Sequence, residues 1–280
     1  MSRHVFRHEA MATFFEIQVA DAEASYAGQA AASAFRELDR LEGELSRYRE
    51  TSDIARANRL GRGASTRLGP DAFECLLIAA DAALATGRAF DPAYASARDG
   101  LADGELAFTL DPGTHSLRSK SEKLHLDLGA IGKGYALDRM AETLRDWQIA
   151  SACLNSGGST ALALAAPSGA EGWPIGVGDE PAARQVMLRE TAMSGSGVAV
   201  KGEHILDPRT TQPARIQHRT WALAPTAALS DALSTAFFVM AEAEVARFCA
   251  AHAGIGAVIT TQEGRQRSFG SLETARCSGM

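Results

Sequence analysis

The stretch Leu124-His-Leu-Asp-Leu-Gly-Ala-Ile-Gly-Lys-Gly-Tyr-Ala-Leu-Asp138 constrains the fold more than any other part of the chain. Apolar alternation at Leu124, Leu126 and Leu128 predicts a half-buried strand with Asp127 on its other face. Gly129, Gly132 and Gly134 then break the pattern around Lys133. Tyr135, Met140, Ala141 and Leu144 follow at helical spacing. A strand, a glycine loop and a helix N-terminus present free backbone N–H groups and a positive dipole end, which suits a phosphate. The glycine spacing is not the dinucleotide fingerprint, and Lys133 lacks the Ser or Thr that follows the lysine of a P-loop. Glycine is also the default residue of tight turns, so on this stretch alone a plain turn and an anion loop weigh equally. Asp127 tilts the balance, because a carboxylate beside a phosphate site holds a metal or a ribose hydroxyl.

The 280 residues suffice for one large domain or two lobes with an ample core. A net charge of −6, with no basic cluster, argues against general nucleic-acid binding. No segment is long and apolar enough for a membrane helix, and residues 1–10 lack the apolar core of a signal peptide. The expectation is a cytoplasmic protein that is not membrane-embedded, or a periplasmic one if a leader has been removed. Cys75, Cys153, Cys249 and Cys277 are widely spaced with no Cys-x-x-Cys pair, and read as buried thiols rather than a disulfide framework.

Thr13 to Val19 alternates as a strand, with Phe15, Ile17 and Val19 on one face. A long amphipathic helix follows, capped by Asp21 and running to about Arg49, with Phe35, Leu38, Leu41 and Leu45 in its stripe. Tyr48 ends that stripe and reads as a core edge. A second helix starts behind Pro70-Asp71 and ends at Gly87, with Phe73, Leu76, Leu77, Ala80 and Leu84 facing inward. In Ala89-Phe-Asp-Pro92 the proline forces Asp91 to be extended, so its carboxylate projects from a stiff turn. Residues 93–123 are weakly patterned, a loop with short strands. Further strands are expected at 150–154, 161–164, 173–178 and 257–260, with one more through Val186 and Leu188, and a turn at Ser194-Gly-Ser-Gly197. The strand–helix–strand order fits an α/β or α+β layer. Asp207-Pro208 marks a second stiff turn, and Arg209 is able to fork onto a carboxylate or phosphate. Ala228 to Ala241 is helical, with Asp231 and Thr235 one turn apart on one face. That pair suits either an ordinary helix start or a Mg²⁺ site, since Mg²⁺ takes oxygen donors. Another helix runs to about His252.

Taken together, these segments resemble the FAD:protein FMN transferase family, the ApbE family of flavin transferases. The resemblance spans Met11 to Val239. It is carried by Met11-Ala-Thr13, Leu45-Ser-Arg-Tyr48 with Ser52 and Asn58, Ala89-Phe-Asp-Pro92, and Asp127 to Asp138. Asn155-Ser-Gly-Gly158, His204-Ile-Leu-Asp-Pro-Arg-Thr210 and Asp231-Ala-Leu-Ser-Thr235 complete it. The resemblance implies one catalytic domain over residues 1–280. Its expected fold is α+β and T-fold-like: mixed sheets packed with helices, in a compact unit of two lobes. It implies that Met11 and Tyr48 pack the flavin, that Ala89, Phe90, Asp91, Asp127, Lys133 and His204 contact FAD, and that His204 is the catalytic base. The metal, Mg²⁺, is implied to take the main-chain oxygen of Ala130 and the side chains of Asp231 and Thr235. The implied reaction moves FMN from FAD to a Thr or Ser hydroxyl of an acceptor protein as a phosphodiester and releases AMP, in a monomer or homodimer. An FAD pyrophosphatase giving FMN and AMP, and a non-catalytic FAD-binding protein, are the competing readings. The chain departs from the family pattern in having Ala12 and Thr211 where glycine is usual, Ala93 and Met193 where Thr is usual, and Ser159 where Asp is usual.

Overall fold

The computed structural model describes residues 3–178, 184–197, 206–214 and 217–272. Among these, helices and antiparallel sheets give an α+β architecture. An eight-stranded sheet has the order β1-β2-β6-β7-β10-β11-β12-β13. Its strands are β1 (Arg3–Ala10), β2 (Thr13–Ala20), β6 (Ala152–Ser156), β7 (Thr160–Ala163), β10 (Thr191–Gly197), β11 (Gln217–Ala224), β12 (Gly256–Thr261) and β13 (Gln266–Gly270). A small sheet joins β3 (Ser65–Arg67), β5 (Ser116–Ser119) and β4 (Phe108–Asp111), and a hairpin joins β8 (Trp173–Val177) to β9 (Arg184–Leu188).

Strand alternation explains why the middle of the large sheet is buried on both faces. Leu154, Ala192, Ala222, Ala257 and Ile259 point into the main core with the helices. Their neighbours Cys153, Met193, Trp221 and Val258 point the other way, onto Trp173, Val177, Val186 and Leu188 of the β8–β9 hairpin. Residues one apart on a strand face opposite sides, so a sheet covered twice reads as a continuous apolar run.

The helices are α1 (Ala24–Leu45), α2 (Asp53–Ala57), α3 (Pro70–Ala85), α4 (Gly132–Asp146), α5 (Ala227–Val239) and α6 (Glu242–Ala251). Among them α1 packs on α4, α4 on α5, and α5 on β10 and β11. None among the described residues is long and apolar enough to cross a membrane.

Several sequence expectations are corrected. Residues 124–128 are extended, with Leu124, Leu126 and Leu128 buried, but they join no sheet. Their backbone bonds go to side chains and a loop: Leu126 exchanges two hydrogen bonds with the Asn58 amide, His125 N–H donates to Ser96 Oγ, and Asp127 N–H to the Pro92 carbonyl. Alternation predicts alternating burial; it does not choose the hydrogen-bond partner. Ser194 to Gly197 is not a turn but part of β10. Its lack of side-chain bulk makes room for a neighbour, since a Cβ on Gly195 would lie 3.1 Å from the Trp221 indole nitrogen. Helix α1 is capped by Glu23 rather than Asp21, whose carboxylate instead takes the Ser168 N–H. Leu77 and Leu84 of α3 are 38% and 60% exposed, not inward. Among the described residues, Cys75, Cys153 and Cys249 are buried thiols, and burial pushes Cys153 up to about 12.

Candidate active site

Two helix starts meet at the centre of the site. Helix α4 begins at Gly132 with no side-chain cap from Ile131, so its first-turn N–H groups depend on other elements. The Gly134 N–H donates to Asp231 Oδ2 of α5 at 3.2 Å, and Lys133 Nζ lies 3.4 Å from the same oxygen. Lys133 also donates to the Gly129 carbonyl at 2.8 Å, closing the glycine loop over its own ammonium. The other carboxylate oxygen, Asp231 Oδ1, accepts from Thr160 Oγ1 at 3.4 Å, and Thr160 accepts in turn from Ser194. Thr235, one turn along α5, has its hydroxyl 3.3 Å from Ser196. Asp231 is thus a buried carboxylate set between an ammonium, a helix N-terminus and a row of hydroxyls.

In the opposite direction, Asp138 of α4 accepts the N–H groups of Ala227 and Ala228, the first two residues of α5, at 2.8 Å each. The two helices therefore cap one another. Gly134 permits it: a Cβ there would lie 2.2 Å from the Ala227 carbonyl oxygen.

The second half of the site lies around Asp127. Its Oδ1 takes the Gly129 N–H at 2.9 Å, and its Oδ2 is 3.6 Å from the Arg47 guanidinium. Arg47 also reaches His125 and the Tyr48 hydroxyl, and its guanidinium lies 4.7 Å above the Tyr48 ring. Tyr48 is 80% exposed, so it is a free aromatic face and not the core edge its helical position suggests. Tyr94 shares this environment: burial first, and the Asp127 charge second, push its hydroxyl up. A cavity of about 270 Å³ opens beside Tyr94, Ala95 and Ser96, walled opposite by Leu206, Asp207, Pro208 and Thr211.

Met11 and Ala12 form the two-residue turn between β1 and β2, both with positive φ (50° and 58°). Glu42 of α1 ties this turn to the Tyr48 loop by accepting from both the Met11 N–H and Arg49. The turn also touches the Asn155–Gly158 segment, where a Cβ on Gly157 would lie 2.3 Å from Thr13 Oγ1.

Ala89 and Phe90 are buried in the main core. Asp91 does not project from its turn; its side chain is fully buried. Arg88 donates to one of its oxygens at 2.9 and 2.6 Å, and Ala93 N–H caps the other at 2.8 Å. The following Pro92 carbonyl accepts the Asp127 N–H, so this segment supports the site from behind. Arg209 likewise spends its guanidinium locally, on Asp207 and Glu244. His204 lies outside the described residues.

The structure thus brings Lys133 and Asp231 into contact at the head of α4, beside the loop that carries Ala130. Thr235 is one turn further along α5, and Asp127 joins the Arg47–Tyr48 platform. Sequence reasoning misses Arg47, Tyr94, Asp138, Thr160, Ser194 and Ser196. Arg47 and Asp138 stand inside the quoted motifs, which is a signal able to find them; Thr160 and the serines become visible only when β7 and β10 are laid under α5. Among the described residues, no three His, Cys, Asp or Glu side chains cluster as metal ligands. Asp231 and Thr235 set two hard oxygen donors one turn apart here, beside the loop that carries Ala130. That hard, sparse donor set fits Mg²⁺, which retains waters and phosphate oxygens in its shell.

The sequence model of the ApbE family matches residues 11–259. A protein of Rhodobacter capsulatus named FAD:protein FMN transferase is 33% identical over 156 residues, 51% of this chain and 29% of that protein. One of the same name from Treponema pallidum is 28% identical over 180 residues, 56% of this chain and 49% of that protein. The chain thus spans less than half the length of these curated relatives. The apo crystal structure of the flavinyl transferase ApbE of Pseudomonas stutzeri superposes over 100% of this chain and 98% of its own. Its TM-score is 0.85 at 22% identity, a likeness of fold.

Proposed function

This chain belongs to the ApbE family, and we propose that it transfers FMN from FAD to a Thr or Ser hydroxyl of an acceptor protein, releasing AMP, with residues 1–280 acting as one catalytic domain. One observation carries the reading. Motif segments scattered from Met11 to Thr235 meet through direct contacts: Thr13 with Gly157, Arg47 with Asp127, Pro92 with Asp127, and Gly134 with Asp231. A plain α+β domain has no reason to link an exposed tyrosine, a lysine, a carboxylate and a helix N-terminus through one chain of contacts.

Each part has a task. Tyr48, stiffened by Arg47, offers a ring face for the isoalloxazine, and Met11 a polarizable edge. Lys133 and the N-terminal end of α4 face the pyrophosphate, where a positive charge and a dipole end favour an anion. Asp231, Thr235 and the Ala130 carbonyl hold Mg²⁺, which when bound neutralises the pyrophosphate and polarises the attacked phosphorus. His204 takes the proton from the acceptor hydroxyl as that oxygen bonds to the FMN phosphorus and AMP departs. The cavity beside Tyr94, walled by the residues that follow His204, leaves room for an incoming segment.

The test is incubation with FAD, Mg²⁺ and a candidate acceptor, read by intact mass. The expected result is an FMN adduct on a Thr or Ser with stoichiometric AMP. Replacing His204 with Ala should slow it about 10²- to 10⁴-fold. Metal-dependent AMP release with no adduct on any acceptor would instead make the protein an FAD pyrophosphatase. Tight FAD binding with no turnover would make it a flavin carrier.

A further inference from the structure

We propose that Asp138 is a positioning residue for the metal face, acting by locking the start of α5 onto α4 so that Asp231 stays in register with the Gly134 N–H and Lys133. The inference rests on the functional reading above and extends it to a residue that touches neither substrate nor metal.

A helix start leaves four N–H groups unpaired, and each needs an acceptor. In α5 the cap residue Thr226 takes the N–H of Leu229, while Asp138 takes those of Ala227 and Ala228. In α4 no side chain of the cap residue helps, and Asp231 takes the N–H of Gly134. Gly134 and Asp138 lie one turn apart on the face of α4 that meets α5. The closeness is backbone to backbone, because a Cβ at Gly134 would fall 2.2 Å from the Ala227 oxygen and 2.8 Å from the Ala228 nitrogen. Asp138 thus grips the same two residues against which Gly134 packs. Asp231 follows Ala228 by three residues in an unbroken helix, so any slide of the α5 start moves its carboxylate away from the Gly134 N–H and Lys133 Nζ. The two bonds to Asp138 are short, whereas those to Asp231 are 3.2 to 3.4 Å. A carboxylate reserved for a metal should be held loosely by its protein partners and placed by something else, as outer-shell groups place metal ligands elsewhere.

This role differs from bulk stabilisation. Burial pushes the Asp138 carboxyl up to about 6, partly offset by the two N–H bonds, so the charge costs the fold stability at neutral pH. Removing the group therefore relieves a cost while loosening the register.

The experiment uses the full chain with FAD and follows Mn²⁺ binding by electron paramagnetic resonance, with FAD affinity from flavin fluorescence and the thermal midpoint in parallel. Asp138→Ala is expected to weaken Mn²⁺ at least tenfold while FAD affinity stays within threefold and the midpoint moves little. Asp138→Asn, which keeps one acceptor, should fall between. Asp231→Ala should remove the Mn²⁺ signal. Wild-type Mn²⁺ affinity in both Asp138 variants overturns the inference. If the wild type itself takes up no Mn²⁺, the metal reading of the site fails. The positioning claim is then judged by amide hydrogen exchange in Asp138→Asn, which folds without the charge: exchange must quicken at Gly134 as well as at Ala227 and Ala228. Unchanged exchange at Gly134 overturns it.

Discussion

Replacing Gly134 with Ala should destabilise this protein, although the same change in most helices does the reverse. Alanine is preferred over glycine in a helix interior by about 1 kcal/mol, because glycine surrenders more backbone freedom on folding. Here the added methyl would lie 2.2 Å from the Ala227 oxygen, 2.5 Å from its carbonyl carbon and 2.8 Å from the Ala228 nitrogen. All three are backbone atoms of a helix start, so no rotamer change relieves the clash. Non-bonded carbon and oxygen atoms need roughly an ångström more, and α4 and α5 must separate by about that amount. Overpacking of this kind costs about 1–3 kcal/mol. Separation also stretches the Gly134 N–H bond to Asp231 and both Asp138 caps, each worth about 1 kcal/mol. Against the propensity gain of about 1 kcal/mol, the net loss is about 3–5 kcal/mol if all three bonds are lost, and smaller where a bond only lengthens. Gly43 in α1 is the control: nothing lies within 4 Å of the place its methyl would take, so Gly43→Ala should stabilise by up to about 1 kcal/mol. Urea unfolding of both variants, followed by circular dichroism, measures the two signs. A Gly134→Ala protein as stable as the wild type would show that the two helices do not approach this closely and would remove the physical basis for reciprocal capping.

Three further outcomes are expected. Arg88→Ala strands the fully buried Asp91 carboxylate without its guanidinium and should cost about 3–5 kcal/mol in urea unfolding; a loss below about 1 kcal/mol would mean that Asp91 is not buried as an ion. Ala12→Gly and Thr211→Gly put glycine where φ is +58° and +61°, and each should gain about 0.5–1 kcal/mol, the larger gain at β-branched Thr211; a lowered thermal midpoint in either refutes the turn geometry. The folded Asp138 carboxyl titrates near 6, above its ordinary 3.8. Its contribution to stability is therefore fully present below about pH 4 and is lost as pH rises through about 6. A gap of about two pH units is worth roughly 3 kcal/mol, less where solvent still reaches the group, so about 2 kcal/mol is expected. Asp138→Asn should flatten the stability profile over that window, and an unchanged slope would assign the titration to another group.

Side-chain order alone sets the elements whose periodicity is strong and the residues whose chemistry is local. The stripe of α1, the buried Phe73, Leu76 and Ala80 of α3, the alternation of β2, the start of α4 in a glycine loop and the one-turn spacing of Asp231 and Thr235 are all legible in it, because helix and strand periods are fixed by backbone geometry. The family resemblance is legible for the same reason, since it rests on short runs of named residues. Packing settles the rest. It gives residues 124–128 side-chain and loop partners instead of a ladder. It makes Ser194–Gly197 a strand by pairing it with β11, where Gly195 leaves room for the Trp221 indole, and it turns Asp91 inward under Arg88. It also exposes Tyr48, which leaves its ring free beside Arg47. Above all, it sets Asp138 against the start of α5 and Asp231 against the start of α4. No local pattern encodes that exchange, because the acceptor each helix start requires comes from a residue about ninety positions away, and only the packing of α4 on α5 selects it.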